Sequence, residues 1–311
     1  MALTYDQALA ALNDPKFQTL DGLKTLVSQV SVQVPNQAAN ATTILYSGKI
    51  GDVDAWRVAT QLGSAGGSSV VTMERTPVSA LLNSPQFKDA LERAAGTTDP
   101  NAIRVLMDGV GGDGTRVMGM WDVASKSVAD AAVGDVRTLV PTAEAGKVFA
   151  ETELPALLDN TKVTSIDGIP RQQLLDLRAD AMRSGLSNAE AMGKVRTAVA
   201  SASADALIGS EIRLATAADG SITAFDSGKF LDGTGSSGVH LPSGQGTPLG
   251  SRLLNSLTPA QLDTLRSGKA LLEDVGRLPG VGIAGKVARK GLPFLGLALA
   301  AIDANAAYQG G

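Results

Sequence analysis

Apolar and polar positions along this chain change period several times, and each change marks an element. Residues 5–12 and 19–30 carry apolar side chains at three-to-four spacing and predict two short helices, with Asn13-Asp14-Pro15 as turn and breaker between them. After a linker at Val34-Pro35-Asn36-Gln37, Thr43-Ile44-Leu45-Tyr46-Ser47 reads as a strand. Residues 52–62 read as an amphipathic helix carrying Trp56 and closed by Gly63, Gly66 and Gly67, and Ser69-Val70-Val71-Thr72-Met73-Glu74 as a second strand. Thr76-Pro77 and Ser84-Pro85 each start a helix, the latter with Phe87, Ala90, Leu91 and Ala94 on one face. A helix from Trp121 puts Trp121, Ala124, Val128, Ala131 and Ala132 on one side and stops at Gly134. Val-Arg-Thr-Leu-Val at 136–140 alternates as a strand, Pro141 ends it, and the chain returns through a loop, 148–154, that carries Glu153.

Candidate strands at 43–47, 69–74, 136–140 and 162–166 alternate with helices, which predicts an α/β fold: an open, mostly parallel four-stranded sheet with flanking helices. Residues 1–42 form a helical segment before this unit of 43–170, and 171–311 a mostly helical accessory region after it. Two Ala-rich helices span 171–209, with Ser187-Asn188-Ala189-Glu190 as a capping box, and a hairpin turns at Asp219-Gly220. A Gly/Ser-rich loop covers 227–250, and Thr258-Pro259-Ala260-Gln261 opens a further helix. The apolar stretch 292–302 would be roughly 16 Å long as a helix, whereas a membrane span needs about 20 residues. Extending it backwards meets Arg289, Lys290 and Lys286. It reads as a buried core helix, a membrane-inserting or chaperone-covered segment, or an oligomer contact.

Composition then narrows the chemistry. The 311 residues include no cysteine and one histidine, His240, so disulfides, thiolate metal sites and His-rich sites are excluded and no metal is expected. A formal charge of −4, a pI near 5.1 and scattered Lys and Arg leave no footprint for nucleic acid. Carboxylates and hydroxyls must do any chemistry. Gly109, Gly111, Gly112 and Gly114 lack the Lys and Ser/Thr of a P-loop and the dinucleotide spacing, and read as a flexible turn. The amino terminus has neither a basic n-region nor a long apolar core, so the expectation is a protein cytoplasmic as made, exported, if at all, by a specialised route.

Five positions fall at the ends of these elements: Tyr46 after the first strand, Glu74 after the second, Trp121 and Ser125 one turn apart on a helix, and Glu153. Strand ends are where open parallel sheets put ligands. On these residues the chain resembles the ADP-ribosyl cyclase family of NAD glycohydrolases over about residues 43–170. Ile44-Leu45-Tyr46-Ser47 is similar to the family's first aromatic strand, and Thr72-Met73-Glu74-Arg75-Thr76 to its Thr-Leu-Glu-x-Thr motif. Trp121, Ser125, Ala129 and Ala132 match its Trp-x-x-x-Ser helix, and Phe149-Ala150-Glu151-Thr152-Glu153-Leu154 the segment bearing its catalytic glutamate. Tyr46 stands where the family has tryptophan, Val128 where it has phenylalanine, and the cysteines of its eukaryotic members are missing.

The resemblance implies cleavage of NAD at the nicotinamide–ribose bond, to ADP-ribose or a cyclised product, with NAD as substrate and no cofactor. Glu153 would be the catalytic carboxylate and Glu74 would influence whether hydrolysis or cyclisation follows. Trp121 and Tyr46 would stack on flat rings, Ser125 would hold the ribose or phosphate side, and Phe149 would line the site. An NAD-depleting bacterial effector or toxin would be one use, with a cognate inhibitor protein as its partner. Each residue also has a plain reading: Trp121 and Tyr46 in the core, Glu153 as a loop or helix-start acid, Glu74 paired with Arg75 or Arg57, Ser125 bonded back within its helix. A non-enzymatic nucleotide- or partner-binding module on the same fold, and an ADP-ribosyltransferase, are the competing classes.

Overall fold

The structure, a computed structural model, describes residues 2–111, 115–142, 144–231, 246–275 and 293–309. Helices α1 (Tyr5–Ala11) and α2 (Leu20–Gln29) come first, each begun by a threonine whose hydroxyl accepts a backbone N–H, Thr4 from Gln7 and Thr19 from Gly22. Strand β1 (Thr42–Tyr46) leads through the small hairpin β2 (Lys49–Ile50) and β3 (Val53–Asp54) into α3 (Ala55–Gly66), after which β4 (Val70–Val71) joins the sheet. Helices α4 (Pro77–Leu82), α5 (Pro85–Ala95) and α6 (Pro100–Asp108) each begin with proline behind a capping Thr76, Ser84 or Asp99. Next come α7 (Met120–Ala131), β5 (Gly134–Leu139), a π-helical turn over Phe149–Glu153, α8 (Leu154–Asp159), β6 (Val163–Ile166) and β7 (Ile169–Pro170). Helices α9 (Arg171–Arg183) and α10 (Asn188–Gly209) precede a small antiparallel sheet of β8 (Arg213–Thr216), β9 (Ile222–Asp226) and β10 (Thr247–Pro248). Helices α11 (Leu249–Ser256), α12 (Pro259–Val275) and α13 (Pro293–Gln309) end the described chain.

The main sheet runs β4-β1-β5-β6-β7, with the first four strands parallel and β7 antiparallel to β6. Thr43 lies opposite both Val71 and Val136, and Tyr46 opposite Leu139. The parallel strands therefore all run toward one edge, where Tyr46 lies level with Leu139 and Thr72 follows two residues short of that level. Successive residues of β1 face opposite sides. Leu45 joins a core built from α2, α5, α7, α8 and α9, while Ile44 joins a second core of α3, α11, α12 and α13 on the other face. Helix α10 serves both, with Val195 and Val199 in the first and Leu207 in the second. Its close crossing with α12 depends on Gly268, where a Cβ would fall 1.9 Å from Ser201 Oγ.

Several expectations need correction. The sheet has five strands, because Gly168 in the left-handed region (φ 75°) turns the chain back into β7. The expected strand 69–74 pairs only at Val70 and Val71. Beyond Thr72 the Thr76 hydroxyl donates to Met73 O at 2.6 Å, and residues 73–75 coil into a 3-10 turn that carries Glu74. The expected loop at 148–154 is the π-helical turn running straight into α8, with Pro155 at the start of α8 supplying no backbone N–H to a normal ladder. Helix α7 ends at Ala131, and Gly134 opens β5 rather than stopping the helix. The inward face of α7 is Met120, Asp122, Ala124, Ser125, Val128 and Ala129, whereas Trp121 is half-buried and Ala131 exposed. Gly63 and Gly66 lie inside α3, and Gly67 caps it.

Helices α6 and α11 and the β2–β3 hairpin are additions. His240, Gly112, Gly114, Leu292 and most of the Gly/Ser-rich stretch lie outside the described residues. In α13, Leu295 and Leu299 are buried in the second core, while Phe294 and Leu297 are exposed. Asp205 on α10 accepts the Leu295 N–H at the start of that helix. No helix among the described residues is long and apolar enough to cross a membrane.

Candidate active site

Four segments converge at the carboxyl edge of the parallel strands. Tyr46 closes β1, which its β-branched neighbours Thr42, Thr43 and Ile44 hold extended between β4 and β5. Its phenol donates a hydrogen bond to Glu74 Oε1. The turn carrying Glu74 is clamped from both sides. Thr76 accepts from Ser79 N at 3.2 Å, and the Arg75 guanidinium swings away to donate to the carbonyls of Val70, at 2.8 Å, and Gly67. Gly63 makes this clamp sterically feasible, since a Cβ there would stand 2.8 Å from Arg75 Cδ and 2.9 Å from Thr72 Oγ1. Arg75 is thus spent on the backbone, which removes the simple reading of Glu74 as its surface partner.

Glu153 ends the π-helical turn and is 3% exposed. A residue of this type is rarely enclosed without a paired charge. Burial pushes its carboxyl up to about 8, the neighbouring Ser125 hydroxyl works in the opposite direction, and the negative charges of Asp122 and Glu74 add to the rise. Burial likewise raises Glu74 against the lowering effect of the Tyr46 phenol. Burial, then the charges of Glu74 and Glu153, raise the Tyr46 phenol, so Tyr46 stays a neutral donor. Glu153 Oε2, Glu74 Oε2 and Thr72 Oγ1 are buried polar atoms that form no well-aligned hydrogen bond, although the Ser125 hydroxyl still lowers Glu153 and the Thr72 hydroxyl lowers Glu74. Such orphans in a native interior call for an explanation, and a ligand site is one.

Two residues that sequence reasoning missed complete the cluster. Asp122 is 1% exposed; its Oδ2 accepts Gly119 N at 2.8 Å at the head of α7, and its Oδ1 pairs with Arg116. The pair sets one cation and one further anion beside Glu153. The signal was present, since Asp122 stands three residues after Gly119, the position from which an acid reaches back to cap a helix.

The structure therefore brings Tyr46, Glu74, Ser125 and Glu153 together. Phe149, at the other end of the π-helical turn, is buried at 3% and also lines an adjoining cleft. Trp121 stands one turn before Ser125, half-buried against the first core. No group of three or more His, Asp and Glu among the described residues is arranged to hold a metal ion. Chemically, the cluster offers two buried carboxyls, one of them raised to about 8, with the Tyr46 phenol on Glu74 and the Ser125 hydroxyl beside Glu153. No protein-family model matches this chain, and no curated protein or solved structure matches it.

Proposed function

We propose that this chain cleaves the nicotinamide–ribose bond of NAD, as a glycohydrolase or cyclase of the ADP-ribosyl cyclase type, with a fold of that type. The observation that carries the reading is the meeting of Tyr46, Glu74, Ser125 and Glu153, far apart in sequence, with one buried oxygen of each carboxylate, Oε2, lacking a well-aligned donor. The bond is broken in a cation: nicotinamide leaves neutral, and positive charge grows on the ribose. The reaction needs no proton donor at the leaving group and no histidine; it needs an anion beside the developing oxocarbenium ion. Glu153 fits that need. A pyridinium or oxocarbenium charge placed against it favours its ionised form, so the carboxyl that is neutral in the empty site becomes the negative partner as substrate enters. Trp121 supplies an aromatic face for the pyridinium, worth roughly 0.5–2 kcal/mol, and Glu74 sits where it can bias water or an internal nucleophile at the ribose. An effector or toxin role, with a protein inhibitor as partner, follows from the same chemistry.

The enclosure of Glu153 favours one second reading, a module that binds the dinucleotide without turning it over. Incubating the purified chain with NAD and separating the products decides between them. Nicotinamide with ADP-ribose or its cyclised form is the expected outcome; folded protein that retains NAD and releases no nicotinamide supports the binding module instead.

A further inference from the structure

The Arg116–Asp122 pair beside the carboxylate cluster is more than a helix start requires. Asp122 caps α7 by accepting Gly119 N at 2.8 Å, and one carboxylate oxygen suffices for that. Its other oxygen pairs with Arg116, which the chain presents by folding back on itself. Val110 and Arg116 are bridged antiparallel, Gly111 N donates to Thr115 O at 2.8 Å, and Val117 N donates to Gly109 O at 2.8 Å. Glycine at both ends lets the chain close this tightly. A Cβ on Gly109, whose φ is 70°, would stand 2.5 Å from Asp122 Oδ2, and one on Gly119 would stand 2.5 Å from Gly109 N. Asp122 and Ser125, three residues apart and both buried, share the face of α7 that packs against the π-helical turn of Glu153.

The groups that face Glu153 are Asp122 and Ser125 of α7, Glu74 of the 3-10 turn, Tyr46 of β1 and Arg116, with Asp108 of α6 in turn acting on Asp122. Arg116 is the one cation among them, and its charge reaches Glu153, where it works against the effect of burial. Yet the guanidinium is held by Asp122. A carboxylate already joined to a guanidinium has little field left for another cation, and a buried pair of that kind is costly to break. We propose that Asp122 is a positioning residue that sequesters Arg116, keeping Glu153 out of an ion pair of its own and so free to meet a cationic substrate. The proposal rests on the reading above only for the identity of that cation. Arg116 in turn compensates Asp122, so that α7 carries a second buried acid beside Glu153 without leaving it unpaired.

The test follows the ionisation of Glu153 in the full chain by NMR of glutamate side-chain carboxyl carbons, its signal identified by its loss in Glu153→Gln. Wild type, Asp122→Asn, Arg116→Gln and the double variant are titrated. Asparagine keeps the size of Asp122 and an oxygen for Gly119 N; Asp122→Ser, shorter but also with an oxygen, gives the same comparison where the asparagine variant folds poorly. Asp122→Asn frees the guanidinium for Glu153, whose titration midpoint should fall. Adding Arg116→Gln should raise it again by about one pH unit or more, the scale of a close opposite charge, and by more than Arg116→Gln does alone. Where NAD is turned over, Asp122→Asn should lower kcat and the added Arg116→Gln should restore part of it, a recovery that a merely structural role for Asp122 would not give. A folded double variant whose midpoint equals that of Asp122→Asn overturns the proposal, because the fall then comes from the lost anion alone. Since the titration needs no turnover, absence of nicotinamide release would sink the glycohydrolase reading without deciding this one.

Discussion

At Glu153, burial rather than a paired charge sets the protonation state, and that has a measurable consequence for the fold. Its folded value of about 8 lies above the ordinary 4.5, so between those limits the folded chain binds more protons than the unfolded one. The stabilising contribution is complete below about pH 4.5 and is lost as pH rises through 8. Asp167, pushed up to about 7, and Asp205, to about 6, act in the same direction, chiefly through burial. Glu153→Gln removes the largest of these shifts while keeping the shape. The variant should therefore melt higher than wild type at pH 8, by a free energy on the order of a few kcal/mol, with the gap closing toward pH 5. Equal melting temperatures at pH 8 would show that the carboxylate is not held dehydrated at a cost. A charged group kept where it destabilises the fold is a hallmark of sites maintained for function.

Among elements, α10 has the most consequential position, because it ties the chain after residue 171 to the edge that forms the site. Ser203, fully buried, accepts Val140 N at 3.0 Å and donates to Thr138 O at 2.9 Å, so a side chain takes over at the end of β5 where strand pairing stops. Ser203→Ala leaves the Val140 N–H buried and unpaired. That should cost about 1–3 kcal/mol, read as a drop of several degrees in melting temperature; an unchanged melting temperature would mean that water reaches this strand end. None of this was legible in the sequence, where Ser203 is one small residue in an Ala-Ser-Ala run. By contrast, the helices begun by Thr76-Pro77, Ser84-Pro85, Ser187 and Thr258-Pro259 were legible, because cap and first-turn chemistry is local. The 3-10 turn at Glu74 and the π-helical turn at Glu153 were not, because the space that lets Arg75 fold back past Gly63 of α3, and the packing of Phe149 and Leu154, come from tertiary structure.

For the molecule as a whole, one parallel sheet with a core on each face accounts for both what could be read and what could not. The four parallel strands and helices α1 to α5 and α7 followed from periodicity, whereas the β2–β3 hairpin, α6, the π-helical turn with α8, and β7 did not. Asp122 had a local sign, its place three residues after Gly119, but its pairing with Arg116 had none, because an ion pair has no signature in spacing. The second core, where α11, α12 and α13 cover Ile44, Val70 and Leu139, escaped because nothing local says which face of a sheet a distant helix will cover. The central claim is that this arrangement exists to place the Glu153 carboxylate against a developing cation. The most direct measurement is nicotinamide release from NAD by wild type and Glu153→Gln at the same pH, with melting curves to show that both are folded. A loss of kcat of about 10²-fold or more is predicted, the scale on which a principal electrostatic stabiliser acts. Nicotinamide release at an undiminished rate from folded Glu153→Gln would contradict the account.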